Sequence, residues 1–432
     1  MIKDLSKKLV VKLLEIEAKT VLKKYKPKIV AITGSVGKTS TKEAVYTVLS
    51  KFYFVWKSQK SFNSDIGVPL TILNIPNASS NPIAWIKNLF DGLKLIILPS
   101  LYPEWLVLEV GGDHPGDIKK ISEWIKPDIV VVTRLSEVPV HVEFFSSPEQ
   151  LFEEKGNLVK ALKVGGTLIL NADDKNVLNY KNLTKEKIVL FGNQPNSDLS
   201  ATNYEVLFDE NNLPKGITFS VQTNRETLPV YLPGTLGEHH MQHCLAALAV
   251  CKSLGEHLSV AANNLKKQEP TPGRMRLILG VNKSIVIDDT YNSSPIALHE
   301  ALNTLRDLKT VKRKIVVLGD MLELGKYSID EHKKAGTRVA EFIDNLFTVG
   351  VRARHIAEAA IEAGMKENKV QEFNNSKEAG EYLKTIIQEG DAVLVKGSQG
   401  IRMERVVEKI MACPEDKEKL LVRQDKEWRG RI

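Results

Sequence analysis

The chain has 432 residues, 43% hydrophobic and 26% charged, which gives room for two or three domains with cores of their own and excludes both a disordered chain and an integral membrane protein. A net charge of +7 is mild for this length, and aromatics at 6% are too sparse for base stacking, so an anionic small substrate is expected and nucleic acid is not. Cys244, Cys251 and Cys413 form no CxxC pair and are odd in number, so no disulfide framework is expected and a reducing cytoplasm is the natural setting.

Residues 1–27 lack the apolar core and the small-residue cleavage site of a secretory signal. Ile2, Leu5, Leu9, Leu13, Ile16 and Leu22 fall near helical spacing among many lysines, which predicts an amphipathic helix packed on the first domain. A weak membrane-surface contact is the other use of so basic a helix. The apolar segment "IAWIKNLFDGLKLIILPSLYPEWLVLEV" is interrupted by Lys87, Asp91 and Lys94, and reads as helix, loop and buried strand. Short β-rich runs, "KIVAIT", "WLVLEV", "DIVVVT", "GTLILN", "KIVLFG", "SIVIDD", "KIVVLG", "NLFTVG" and "AVLVKG", alternate with helical stretches, the pattern of an α/β fold with parallel sheets. Between Asn193 and Gly234 the pattern becomes alternating with the turn signal "DENNLPKG", which predicts an antiparallel addition. A helix ending at Gly255 and the connection "KKQEPTPGRMRL" place a boundary near Gly273, dividing the chain into an N-terminal helix (1–27), a central domain (28–273) and a C-terminal domain (274–432). The tail "CPEDKEKLLVRQDKEWRGRI" reads as charged and peripheral.

In "KIVAITGSVGKTSTKEAV" a strand passes through a glycine loop into a helix, so backbone amides and the helix start can hold phosphate oxygens. The loop runs Gly34, Ser35, Val36, Gly37, Lys38, Thr39, Ser40. Lys38 would neutralise β- and γ-phosphates, and Thr39 would offer a hydroxyl to Mg²⁺. Ile32 stands where the strict motif has glycine, making this a shortened G-x-x-G-K-T form. "WLVLEVGGDHPGDI" delivers Glu109 at a strand end, where a carboxylate can hold a metal beside a triphosphate. His141, Glu143 and Lys155 decide little on their own, since loop residues and a solvated helix lysine account for them equally. His239 and His243 have the spacing of a zinc pair, but His240 replaces the glutamate of a zinc hydrolase and no third ligand follows, so a hydrolytic zinc site is not expected. "SIVIDDTYNSSPIALHEAL" offers Asp289 for ribose or a metal and exposes Tyr291, with a stacking face, and Asn292. "AVLVKGSQGIRMERVVE" ends a strand with Lys396, which together with Arg274 on the linker can close on an anion held by the first domain.

Taken in order, these stretches resemble the Mur ligase family and most closely its MurF branch, from about Lys28 to the tail. "TGSVGKTSTKE" is similar to the family's ATP loop, and "SFNSDIGVPLTIL" to a segment that approaches the sugar-nucleotide substrate. "VLEVGGDHPGDI" and "VHVEFFSSPEQLFEEKGNL" follow, as do "NADD", "PGRMR", "DDTYNSSP", "VLGDMLELG" and "LVKGSQGIRME". The resemblance implies a P-loop ATPase domain with a parallel sheet plus an antiparallel addition, then a Rossmann-like α/β domain. By it, Glu109 and His141 become Mg²⁺ ligands and Lys155 a lysine that is carbamylated in several members. Arg274 and Lys396 then join Lys38 and Lys155 in catalysis, while Asp289 and Tyr291 contact the nucleotide. Asn63, Ser64 and Asn292 are the implied substrate contacts. Three features depart from the pattern. Only about 27 residues precede the ATP domain, where the branch carries a further domain that grips UDP; His243 stands where asparagine usually reads adenine; and "SQG" replaces S-R-S.

The expected activity is ATP-dependent amide formation through an acyl phosphate, an ADP-forming carboxylate-amine ligation. The implied pair is a UDP-muramoyl-tripeptide and D-alanyl-D-alanine, as in peptidoglycan precursor synthesis, with ATP and Mg²⁺ as cofactors. Two alternatives stay open: the same chemistry on another carboxylate carrier, and a nucleotide-binding interaction protein that has lost ligation.

Overall fold

The computed structural model describes residues 2–59, 62–79, 81–425 and 428, with side chains described from residue 9 onward, so Ile2 and Leu5 of the predicted helical face lie outside the described side chains. Two sheets organise the chain. The first contains β1 (Lys28–Thr33), β2 (Val55–Lys57), β3 (Trp105–Glu109), β4 (Ile129–Val132), β5 (Thr167–Asn171), β6 (Lys187–Phe191), β7 (Leu199–Phe208), β8 (Pro214–Thr223) and β9 (Thr227–Pro233), in the order β2-β3-β1-β4-β5-β6-β7-β8-β9. Strands β1 to β6 are parallel, β7 joins β6 in parallel at the single pair Phe191↔Leu199, and β7, β8 and β9 run antiparallel. The second contains β10 (Arg276–Leu279), β11 (Ile285–Asp289), β12 (Arg313–Gly319), β13 (Asn345–Val349), β14 (Val370–Phe373) and β15 (Asp391–Lys396), ordered β10-β11-β15-β12-β13-β14 with only β10 antiparallel.

The residue patterns explain this division. Strands β3, β4, β5 and β15 are buried at every position, as a parallel sheet covered by helices on both faces requires. In β9 buried and outward positions alternate, because a solvated antiparallel sheet has one dry face. The expected α/β class, the parallel strands and the antiparallel addition are all present. Strands β2, β10 and β14 have no counterpart among the predicted runs. Each is three or four residues long, and β10 lies in a stretch that reads as a connection until β11 supplies its pairing partner.

Helices α1 (Ile2–Tyr25), α2 (Lys38–Leu49), α3 (Gly67–Leu73), α4 (Pro82–Ile97), α5 (Asp117–Trp124), α6 (Pro148–Lys160), α7 (Lys175–Leu178) and α8 (His239–Leu254) accompany the first sheet. Helix α1 packs on α3 and α4 through the fully buried Leu14, Ala18 and Val21, not through the predicted Leu9, Leu13 and Ile16, which are exposed because the inward face is offset by one residue. Its Lys24 amine donates to the carbonyls of Leu95 at 3.0 Å, Ile96 at 2.9 Å and Leu98 at 2.6 Å, closing the end of α4 where carbonyls lack helical partners and a cation suits the dipole. Helix α8 is buried from His243 to Cys251, and its small residues Ala246, Ala247 and Ala249 let it lie close against the sheet and α2. Among the described residues, no helix is long and apolar enough to cross a membrane.

The tail is not peripheral. Arg423 is buried, donates to the Thr290 carbonyl at 3.0 Å and to the Tyr291 carbonyl, and pairs with the buried Glu404 at 2.9 Å. A local reading of its charges could not reveal this, because Thr290 and Tyr291 lie far upstream and Glu404 starts a separate helix.

Candidate active site

The site forms where strand order reverses. β1 lies between β3 and β4, so its carboxyl end opens into a crevice, the usual ligand position in such sheets. There the chain leaves Thr33 into Gly34, whose φ of +146° suits glycine and where a Cβ would collide with the Thr133 hydroxyl. Thr133 and its neighbour Arg134 then brace the loop: Thr133 Oγ1 donates to the Val36 carbonyl at 2.6 Å, and Ser35 N donates to the Arg134 carbonyl at 2.6 Å. Gly37 (φ +83°) turns the chain into α2, so the first amides of that helix face the crevice.

Lys38 arches back over this loop, donating to the carbonyls of Gly34 at 2.9 Å and Ser35 at 3.3 Å. Burial lowers its pKa most, Glu109 opposes that shift, and the positive Arg274 adds to it. Thr39 Oγ1 donates to Glu109 Oε2 at 3.0 Å, and Asn63 Nδ2 to Glu109 Oε1 at 3.1 Å. Glu109 is placed by register, since it lies opposite Ile32 on β1. Its carboxylate is buried, with the fully buried Lys42 amine 3.9 Å away.

The second sheet brings its own strand ends to the same crevice. Asp289 on β11 lies in register with Lys396 on β15, and Lys396 donates to Asp289 Oδ2 at 2.6 Å and to the Asn292 carbonyl at 2.9 Å. Asp289 Oδ1 accepts from Met275 N at 3.3 Å. Both oxygens of Asp289 are thereby engaged, one by the lysine and one by a backbone amide. The Tyr291 ring carries the Arg274 guanidinium at 4.2 Å and the Arg423 guanidinium at 5.7 Å, so the aromatic face expected for stacking is already dressed by cations. Arg274 Nε is buried without a partner, an orphaned donor of the kind that an anion satisfies.

Together these walls enclose a cleft of about 1430 Å³. Ser35, Val36, Gly37, Lys38, Thr39, Ser40, Asn63, Glu109, His141, His243, Arg274, Asp289, Tyr291, Asn292 and Lys396 line it. Three expected residues do not. Gly34 lies behind the loop and fixes its shape. The Ser64 hydroxyl accepts from Gly67 N at 3.4 Å, so it is turned toward the first amide of α3. Lys155 lies on α6 and is 3% exposed, which rules out the solvated-lysine reading; its pKa is lowered to about 7, first by burial and then by Lys38.

His141 does not pair with Glu109 or Thr39. Its Nδ1 lies 2.7 Å from Glu323 Oε2 and its Nε2 3.4 Å from Asp113 Oδ1, so it joins the central part of the chain to the loop after β12. Both His141 (φ +73°) and Glu323 (φ +64°) hold left-handed backbone, a cost the surrounding contacts must offset. A second tie between the two halves runs from Arg134 to Glu300 at 2.6 Å. Sequence reasoning assigned no role to Asp113, Arg134, Glu300, Glu323 or Arg423. Glu323 falls inside the quoted "VLGDMLELG", so its signal was visible as a motif without a function.

The histidines at the start of α8 form a cluster, with ring centroids 4.4 Å apart for the tilted pair His239 and His240 and 5.4 Å for the edge-to-face pair His240 and His243. Burial holds all three well below the usual imidazole range, so they are neutral. His243 Nε2 sits against Gly37, and its Nδ1 is buried without a partner.

The residues present fit a nucleoside triphosphate with Mg²⁺. Loop amides, Lys38 and the orphaned Arg274 donor suit phosphates, while the Thr39 hydroxyl and Glu109 carboxylate are hard oxygen donors. No group of three His, Cys, Asp or Glu suited to a metal occurs among the described residues.

The pattern of the Mur ligase middle domain matches residues 32–84 and 93–251, and that of the Mur ligase glutamate ligase domain matches residues 273–399. The chain belongs to the Mur ligase family. It is similar to the UDP-N-acetylmuramoyl-tripeptide--D-alanyl-D-alanine ligase of Escherichia coli, 30% identical over 88% of this chain and 76% of that one. The corresponding Bacillus subtilis ligase is 29% identical over 92% of this chain and 79% of that one. Among solved structures, the Thermotoga maritima MurF ligase in complex with ADP superposes with a TM-score of 0.75 at 25% identity, covering 95% of this chain and 84% of the other. MurF from Acinetobacter baumannii gives 0.74 at 26% identity over 91% and 79%. In this Mur ligase the cleft between the two sheets is therefore the candidate active site.

Proposed function

We propose that this Mur ligase joins D-alanyl-D-alanine to a UDP-N-acetylmuramoyl-tripeptide, using ATP, in peptidoglycan precursor synthesis. The observation that carries the reading is the convergence in one cleft of the Gly34–Thr39 loop, the Thr39–Glu109 pair and the cations Arg274 and Lys396 from beyond the boundary. The similarity to ligases of that name supports the substrate pair.

Lys38 and the loop amides bind the β- and γ-phosphates, with Arg274 reaching them from the far wall. A substrate carboxylate oxygen forms a bond to the γ-phosphorus as the bond to the β-bridging oxygen breaks, giving an acyl phosphate and ADP. The amine of the dipeptide then attacks the acyl carbon, the carbon–oxygen bond to phosphate breaks, and the nitrogen gives up a proton. Mg²⁺ held by Thr39 and Glu109 would offset the phosphate charge. Lys396, oriented by Asp289, stands where it can steady the phosphoryl group, and closure of the two halves through His141–Glu323 and Arg134–Glu300 excludes the water that would hydrolyse the acyl phosphate.

Carbamylation of Lys155 also belongs to this proposal. A pKa near 7 leaves much of the amine neutral and nucleophilic toward CO₂, and the resulting anion would face Lys38 in place of a second cation. His243 beside the loop and Tyr291 between two arginines are proposed as nucleotide contacts, and Asn63 and Asn292 as substrate contacts. Such a reaction belongs in a reducing, nucleotide-rich cytoplasm. Phosphate release with Mg-ATP, the tripeptide nucleotide and D-alanyl-D-alanine, each omitted in turn with the product weighed by mass spectrometry, tests the reading. Release that requires all three and yields the pentapeptide is expected; release independent of the dipeptide would overturn it.

A further inference from the structure

Helix α4 turns an apolar stripe to solvent. Ile83, Ile86, Phe90, Leu93 and Ile97 recur every three or four residues along one side and are between 43% and 78% exposed, while Asn88 and Gly92 on the other side are buried against the fold. Leu98 and Leu101 extend the stripe beyond the helix, and Leu9, Leu13 and Ile16 are exposed on α1, which packs beside α4. A surface helix ordinarily points such a stripe at the core, and an apolar patch on the order of several hundred Å² marks a contact site.

The charges select the partner. Lys87 flanks the stripe and is exposed, and Lys12 and Lys23 are exposed on α1. The acids nearby are neutralised or turned inward: Asp91 pairs with Lys94 at 3.0 Å, Glu15 pairs with Lys19, and Glu17 packs against Gly92. A second copy would offer these lysines no free acid in return, because the carboxylates beside the stripe are already engaged. An anionic lipid surface takes the apolar row into its acyl boundary and the lysines at its headgroups, the arrangement of interfacial helices. With 16 residues and three charged ones, α4 lies in such a surface and does not cross it.

We infer that the α4 stripe, with the exposed face of α1, docks this chain on anionic membranes. The inference is independent of the substrate assignment. Flotation of the full chain with vesicles of phosphatidylcholine, with and without phosphatidylglycerol, tests it at low and high salt. Binding at least about tenfold stronger to the anionic vesicles, and weakened by salt, is expected. Ile86→Ser with Phe90→Ser should reduce binding at least about tenfold. Lys87→Gln with Lys12→Gln should reduce it about thirtyfold at low salt. Because all four side chains are exposed, both variants should keep the parent melting temperature. Absence of vesicle binding, or binding unchanged in either variant, overturns the inference, as does a dimer seen by light scattering that Phe90→Ser dissolves while vesicles go unbound.

Discussion

Lys155 is held in a place that suits a charge badly, and replacing it should make the protein more stable while it stops working. The residue is 3% exposed, and its pKa falls from 10.5 to about 7, chiefly through burial. Below pH 7 both folded and unfolded chains carry the proton, so the folded state bears the full desolvation cost. Between about 7 and 10.5 the unfolded chain holds more protons, and stability contributed by this site rises with pH; above 10.5 neither state is charged. The cost that Lys155→Met removes is therefore about 4–5 kcal/mol at pH 6.5 and about 1 kcal/mol at pH 10. In CO₂-depleted buffer this corresponds to a rise in melting temperature of roughly 10 °C at pH 6.5 that nearly vanishes at pH 10. Ligation by the same variant should fall at least about a hundredfold. Scanning calorimetry of parent and variant at the two pH values measures the difference, and common titrations cancel. A variant less stable than the parent at pH 6.5, or equally stabilised at both pH values, would refute the argument.

Asp289→Ala leaves the Lys396 amine buried without its carboxylate, and a loss of about 3–5 kcal/mol in denaturant unfolding is expected, with slower turnover. Gly37→Ala demands left-handed backbone of a side chain whose Cβ would meet His243 Nε2 at 2.8 Å; ATP affinity should fall at least about tenfold, and adding His243→Ala should restore only part of it by calorimetric titration. Arg423→Ala removes the donors holding the Thr290 and Tyr291 carbonyls, so KM for ATP should rise about tenfold or more, and Arg423→Lys should not rescue it because a single ammonium cannot reproduce the fork. Arg134→Ala, by contrast, breaks a half-exposed pair with Glu300 and should cost under about 1 kcal/mol in stability, while weakening the dependence of turnover on closure.

The parts of this molecule that the sequence by itself determined are those whose causes are local. Apolar runs of five or six residues specify the strands, the glycine loop between a strand and a helix specifies the phosphate cradle, and a polar residue ending such a run, as Glu109 ends "WLVLE" and Lys396 ends "DAVLVK", specifies what reaches the crevice. Short strands such as β10 escaped because four residues carry too little periodicity until a neighbour pairs with them. What only the tertiary structure decided are the meetings between distant segments. Lys155 reads as a surface lysine until α6 is laid against the loop that carries Lys38. Glu323 has no meaning until its turn comes to His141, and Arg423 reads as part of a charged tail until it closes over Tyr291. Helix α4 shows a helical period in either case, but the same period serves a core or a membrane. The buried contact of Gly92 with α1 decides which side faces inward and leaves Ile83, Phe90 and Ile97 in water, because one helix can bury only one face against its neighbour.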